Sequence, residues 1–334
     1  MKDKELLPEN GGYKANLHSH TTDSDGYFTP EQLKTFYAER GYSILAYTDH
    51  LYMRDRSELN DENFVALNGY ENNIFDPNSG KCYHLNFYSP KQDKVGMVGI
   101  VKQFYDFYMK NKSREQIGRS PVLNGFCSPE HSVGNVNEII KQATEQGYLV
   151  VYNHPVYNMH DDGDYLGLKG LTGVEVMNYG GFVSGCVEND TPYERMLNVG
   201  QKVFPLAGDD NHNYCAENRA FDSFGGFNIM FPERLNYESV FNCLKKGNFY
   251  ASEGASIRGV GIYGNTVRIG AENAAFIRFS TNSRSSQMAI QKEKPLTQAI
   301  FTLPDDISYF RLTVSDEHGK KAYTRAFFKD EWSD

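Results

Sequence analysis

The stretch YKANLHSHTTDSDG, residues 13–26, decides how the rest of the chain is read. Its first half, YKANLHS, is a short run with the texture of a buried strand. At the end of that run stand His18 and His20, one serine apart, followed by Asp23 and Asp25. A polar turn would use the same residue types, because Asp, Ser and Gly are turn formers. On a strand, residues i and i+2 point to the same side. Two imidazoles so placed can hold one metal ion, and nearby carboxylates can hold it or a second one. The positions of the other histidines and acids decide between the two readings.

Working outward, short apolar runs alternate with helical ones up to about residue 255. The expected strands after the first are 43–49, 65–71, 83–89, 148–154, 173–179, 203–209 and 225–231. Near-continuous apolar runs of this kind suit strands buried on both faces. TPEQLKTFYAERG predicts a helix with Thr29 as N-cap, Pro30 at the first position, Gln32 closing a capping box and Gly41 as the stop. Two more helices are expected, one from Asn135 to Gly147 and one from Asn236 to Gly247, with a further helix around IVKQFYDFYMKN. Strands alternating with helices read as an α/β parallel sheet, with enough strands to close a barrel. Beyond about residue 255 polar and apolar residues alternate between turn residues, which predicts a small antiparallel β-domain. The expected domains are therefore 1–255 and 256–334.

On this frame the histidines are not scattered. His18, His20, His50 and His154 end expected strands, His212 follows one, and His84 begins another. Glu71 and Asp210 stand at strand ends too. The C-terminal ends of parallel strands are where α/β folds place their chemistry. Imidazole and carboxylate without thiolate suit Zn, Mn or Fe. Nine candidate ligands exceed the needs of one ion and suit two or three ions sharing a carboxylate. A close pair of ions can hold a bridging hydroxide and clamp both oxygens of a displacement at phosphorus. No GxSxG, Walker loop or HExxH competes with that chemistry.

Composition narrows the partners. The 34 Lys and Arg against 43 Asp and Glu leave a net charge of -9, with no basic block, so no long nucleic acid is expected as a partner. No apolar run approaches the roughly 18 residues of a membrane span, and residues 1–12 lack a signal-peptide core. The five scattered cysteines fit reduced thiols, and a cytoplasmic protein is the expectation.

HSHTTDSDG, YTDH, GYE, a later His, NHP and DNH, in that order, resemble the PHP family, the polymerase and histidinol phosphatase domain. The resemblance spans about residues 13–250 and implies a distorted (β/α)7 barrel with up to three metals at its C-terminal mouth. Carried over by motif, His18, His20, Glu71 and Asp210 hold the first metal, and Asp25, His50 and His212 the second. Glu71 bridges to a third, held with His84 and His154. Glu71 and Asp210 then act in catalysis through the metals, with no protein nucleophile. The implied cofactors are two or three Mn, Fe or Zn ions, and the implied substrate is a small phosphate monoester.

Other residues carry weaker expectations. Asp23 reads as a turn residue, Asp49 as a partner of a ligand histidine and Asp209 as a strand-end hydrogen-bonder. Glu175 can approach the site or serve structure. Arg219 is the first candidate to hold a phosphate, while His131 and His160 read as loop residues near the mouth. The β-domain is expected to pack on the barrel or form an oligomer. Two other functions fit the same ligands: an amide or ester hydrolase, and a non-catalytic metal-stabilised assembly module.

Overall fold

The computed structural model describes residues 3–110, 120–213 and 222–332. Arg219 and residues 111–119, which follow IVKQFYDFYMK in the chain, therefore lie outside the described residues. The first ten strands are β1 (Lys4–Leu7), β2 (Tyr13–Asn16), β3 (Tyr42–Tyr47), β4 (Val65–Phe75), β5 (Cys82–Tyr88), β6 (Leu149–Tyr152), β7 (Gly173–Asn178), β8 (Phe204–Gly208), β9 (Phe227–Met230) and β10 (Phe249–Ser252). Among the described residues the helices are α1 (Pro30–Ala38), α2 (Lys102–Met109), α3 (Val133–Glu145), α4 (Asp162–Tyr165), α5 (Tyr179–Val183), α6 (Thr191–Asn198) and α7 (Tyr237–Lys246). None of them is long and apolar enough to cross a membrane.

Local signals explain the main helices. Thr29 caps α1, Gln32 closes the box, and Leu33 and Tyr37 are buried. Helix α3 begins earlier than the sequence suggests, because Ser132 rather than Asn135 is the N-cap; its hydroxyl accepts from the Asn135 backbone N–H. Val136, Ile139, Ile140 and Ala143 form its buried face. Asn236 caps α7, and Gly247 ends it in the left-handed conformation at φ +69.

The sheet is not wholly parallel. Strands β2, β3 and β4 run parallel, as do β6, β7 and β8. Between these sets β5 runs antiparallel to both neighbours, and β9 runs antiparallel to β2. The chain reverses between β4 and β5 in a turn whose Gly80 has φ +78. This reversal corrects the all-parallel expectation and explains His84: the start of an antiparallel strand lies at the same end of the sheet as the C-termini of its neighbours. Past β2 and β8 the chain pairs again, with Asp210 N–H donating to the His18 carbonyl at 3.0 Å and His20 N–H to the Asn211 carbonyl at 3.1 Å. The Asn228 side chain of β9 accepts from Ala207 N–H at 3.1 Å and donates to its carbonyl at 2.7 Å, bridging to β8.

The remaining strands are β11 (Ser256–Tyr263), β12 (Thr266–Thr281), β13 (Gln287–Ile290), β14 (Leu296–Thr302), β15 (Tyr309–Asp316), β16 (Lys321–Thr324) and β17 (Phe327–Phe328). They pair antiparallel throughout. The long β12 pairs with β14 near its start and with β15 near its end, and it also pairs with β11 and β13, so one strand serves four ladders. Strand β1, hidden in the polar leader, adds to β11. Strand β10 pairs with both β9 and β16, carrying the ladder from one region into the other.

Candidate metal centre

Each strand end delivers its side chain to one place. His18, His20, Glu71 and His154 are almost wholly enclosed by protein, while Asp25, His84, Asp210 and His212 keep an open edge. The Glu71 carboxylate is the hub. His84 Nδ1 lies 3.0 Å and His50 Nδ1 3.1 Å from it. His20 Nε2 is at 3.4 Å, and His18 Nε2 and His154 Nε2 are each at 3.5 Å. Asp210 stands opposite, with Oδ1 3.1 Å from His18 Nε2 and 3.0 Å from His20 Nε2. Asp25 is placed among His20, His50 and His212 at 3.6–3.7 Å.

These atoms fall into overlapping groups within metal-bridging reach. His18, His20, Glu71 and Asp210 form one; His20, Asp25, His50 and His212 a second; Glu71, His84 and His154 a third. All nine candidate ligands are thus brought together, and His20 faces two groups, with Nε2 toward Asp210 and Nδ1 toward Asp25.

The surroundings orient three of the rings. His18 Nδ1 donates to Glu175 Oε1 at 2.8 Å, His212 Nδ1 to the Asp210 carbonyl at 3.0 Å, and His154 Nδ1 sits 3.1 Å from Asn158 Oδ1. A ring that donates from Nδ1 presents a bare Nε2 lone pair on its other side, the arrangement that metal-ligating histidines use. His154 Nε2 is buried and makes no hydrogen bond. A metal ion would satisfy that donor set of imidazole nitrogen and carboxylate oxygen.

Backbone conformation contributes as well. His154 and Asp210 adopt positive φ, +26 and +50, a region that His and Asp visit more readily than most side chains. Gly208 is required for space rather than for φ. A Cβ there would lie 2.8 Å from Glu175 Oε1 and 2.9 Å from the His18 Cβ.

The charge balance is tight. Burial alone would raise the Glu71 carboxyl, but His18, His50 and His84 hold it well below the usual range. Burial likewise opposes ionisation of Asp210, and His18 and His20 overcome it. Burial disfavours a charged imidazole, yet the acids raise His18 well above its ordinary value and His20 to about 10. At His50 burial dominates and pushes the ring down to about 4. Crowded acids demand positive charge, which protons or metal ions can supply, and metal binding displaces the protons.

The neighbouring acids have separate tasks. Asp49 does not bind a ligand histidine, contrary to expectation. It accepts from Thr21 N–H at 2.7 Å and Ser24 Oγ at 2.8 Å and pairs with Arg56 at 3.2 Å, so it shapes the loop after His20. Asp23 is more than a turn former, because Arg56 reaches it at 2.6 Å in a buried pair. Asp209 accepts from Tyr37 OH at 2.7 Å and from the backbone of Phe224, Gly225 and Gly226. Burial raises it to about 6. Glu175 accepts from His18 Nδ1, from His154 N–H at 3.1 Å and from Asn178 Nδ2 at 2.9 Å, a positioning role that its strand pattern left undecided. His131 and His160 stay outside the cluster. Their Nε2 atoms lie 3.3 Å apart, and both rings pack on Tyr83.

A cavity of about 480 Å³ opens over the cluster, lined by Asp25, His50, Glu71, His84, Asp210 and His212 among others. Among the described residues lining it there is no Lys or Arg.

No family model matches the chain, and no curated protein matches it significantly. Solved structures do. One is a two-domain protein containing a predicted PHP-like metal-dependent phosphoesterase from Bacteroides vulgatus, 12% identical with a TM-score of 0.47, covering 97% of this chain and 98% of that one. A proposed metal-dependent phosphoesterase from Bifidobacterium adolescentis is 15% identical with a TM-score of 0.37, covering 59% of this chain and 87% of that one. An amidohydrolase from Chromobacterium violaceum gives the same identity, TM-score and coverage.

Proposed function

We propose that the protein is a metal-dependent hydrolase of small phosphate monoesters, built on a distorted (β/α)7 barrel. The observation that carries this reading is the oriented ring set: His18, His154 and His212 each anchor Nδ1 and turn Nε2 toward Glu71, Asp210 or Asp25. The first ion would be held by His18, His20, Glu71 and Asp210, the second by Asp25, His50 and His212, the third by Glu71, His84 and His154. Divalent ions there supply Lewis-acid charge to phosphoryl oxygens and acidify water. The chain's own residues do the rest. Glu71 spaces the groups, Glu175 fixes the His18 tautomer, and the enclosing strands keep the polar groups out of bulk water, where their charges would be screened.

Amide or ester cleavage is a second reading, favoured by the lack of Lys and Arg among the described lining residues, since a dianionic phosphate gains most from such groups. The test is turnover by Mn-, Fe- and Zn-loaded protein across phosphate monoesters, amides and carboxylic esters. Phosphate release that is lost on chelation and regained on adding metal supports the first reading. Cleavage of amides or esters alone supports the second. No turnover of any class contradicts both.

A further inference from the structure

A second cavity, about 650 Å³, adjoins the first between the β4–β5 turn, helix α2 and the loop after His154. His84 and Tyr157 line both, so the two are continuous at the metal cluster. Its walls are chemically opposite to those of the first. Phe75, Phe104, Phe107, Tyr108, Tyr157 and Met159 make it aromatic and apolar. Asn73, Gln103 and Asn158 add neutral amides, and among the described residues lining it there is no Asp, Glu, Lys or Arg. Several of these apolar side chains are left open to solvent: Phe107 is 70%, Met159 58% and Tyr157 47% exposed. Two of the walls touch ligand rings directly. Tyr108 lies over His50 with centroids 5.3 Å apart, and Tyr157 meets His154 edge-on at 5.2 Å.

Resting on the phosphoesterase reading, we propose that this cavity seats the alcohol portion of the substrate, and that this portion is an uncharged flat aromatic group. The phosphate of the same molecule then lies at the metal cluster, and the scissile bond crosses near His84 and Tyr157. The walls select by chemistry. Aromatic faces gain from stacking a flat ring and from excluding water. The amides can meet polar edges of that ring. A sugar or glycerol group would lose its hydration without gaining matched partners, and an ionic group would find no Lys, Arg, Asp or Glu among the described lining residues. Concave apolar pockets with a few neutral polar groups are where small ligands bind.

The test separates binding from chemistry. 2-Phenylethylphosphonate and ethylphosphonate share the reactive end, cannot be hydrolysed and differ by one ring. Calorimetric titration of Mn-loaded protein should give about 10-fold or greater preference for the phenyl compound, the scale expected for partial burial of a ring. Phe75→Ala and Phe107→Ala remove exposed side chains, and together they should bring the preference close to unity with ion content retained. The corresponding phosphate esters, 2-phenylethyl and ethyl phosphate, have similar leaving groups, and their kcat/KM ratio should follow the binding ratio. Equal affinity for the two phosphonates in the native protein overturns the aromatic subsite, even if both esters are hydrolysed. A clear preference that Phe75→Ala and Phe107→Ala leave intact also overturns it. Phenyl preference without turnover of either ester keeps the subsite and contradicts the phosphoesterase reading instead.

Discussion

The mouth of the α/β region and the C-terminal antiparallel strands both bury polar side chains, but on different terms. In the antiparallel region most buried polar groups have ordinary partners, with Arg325 Nε an exception. Thr324 Oγ1 accepts from Leu312 N–H at 2.9 Å and donates to the Arg325 carbonyl at 2.9 Å. Arg311 is enclosed against α6, paired with Asp190 at 3.0 Å and with Glu194. The surrounding core of Ile257, Val267, Ile277, Phe279 and Phe310 follows from simple alternation along strands. At the mouth, Glu71 and Asp210 share the same imidazoles, and His154 Nε2 is left without a hydrogen bond. One region is largely satisfied by its own chain. The other gathers acids and imidazoles into overlapping groups that could hold a metal ion, as sites specialised for function often do.

Substitutions can break this contrast at either end. The largest effect should come from Glu71→Gln, which keeps size but removes the charge shared by two metal groups. At least one ion should be lost, with turnover reduced by about 100-fold or more. Elemental analysis and phosphate release check both, and native values would make Glu71 an ordinary strand-end acid. Arg311→Ala should act in the opposite manner. Ion content should persist while stability to urea falls by about 2 kcal/mol, because Asp190 and Glu194 lose their partner, a cost below that of a fully buried pair since both acids are partly exposed. Loss of ions in that variant would show that the two regions are not separable in this way.

A pH effect should be next in size. Glu188 is buried and accepts from Val156 N–H at 3.1 Å and Tyr157 N–H at 2.8 Å, behind the His154 loop. Burial raises its carboxyl from 4.5 to about 7. A carboxyl raised on folding binds more protons in the native state, so its contribution is fully present below pH 4.5 and is lost as pH rises toward 7. Metal-free native protein should therefore lose about 2 kcal/mol across that window that Glu188→Gln does not lose. Parallel urea curves for the two proteins at each pH would contradict it. The smallest effect is Thr29→Ala, which removes the α1 cap and should cost about 1 kcal/mol without changing ion content. Urea denaturation with elemental analysis measures both quantities.

Much of this arrangement was legible in residues 13–26 and their echoes, because ligand chemistry restricts which residue types can stand at strand ends. What spacing could not reveal was direction. The reversal at β5 depends on the turn DPNSG, residues 76–80, whose Pro, Asn and Gly are a hairpin signal in retrospect. Strand β1 carries only Leu6 and Leu7 as apolar residues, too few to register, and its place depends on a partner more than 250 residues away, with Lys4 opposite Ile262. Glu175 sits within a uniformly buried strand, where pattern alone says nothing of the ring it orients. Asp49 follows the ligand chemistry in type but not in geometry, since its nearest partners are a turn and Arg56.

The central claim is that the mouth is a multinuclear metal centre. It is tested most directly by counting ions on the 334-residue chain. After saturation with Mn or Zn and removal of unbound metal, inductively coupled plasma measurement should find two or three ions per chain. It should find at least one fewer in Asp25→Asn, whose carboxylate faces His20, His50 and His212. One ion or none in the native protein under those conditions would contradict the account.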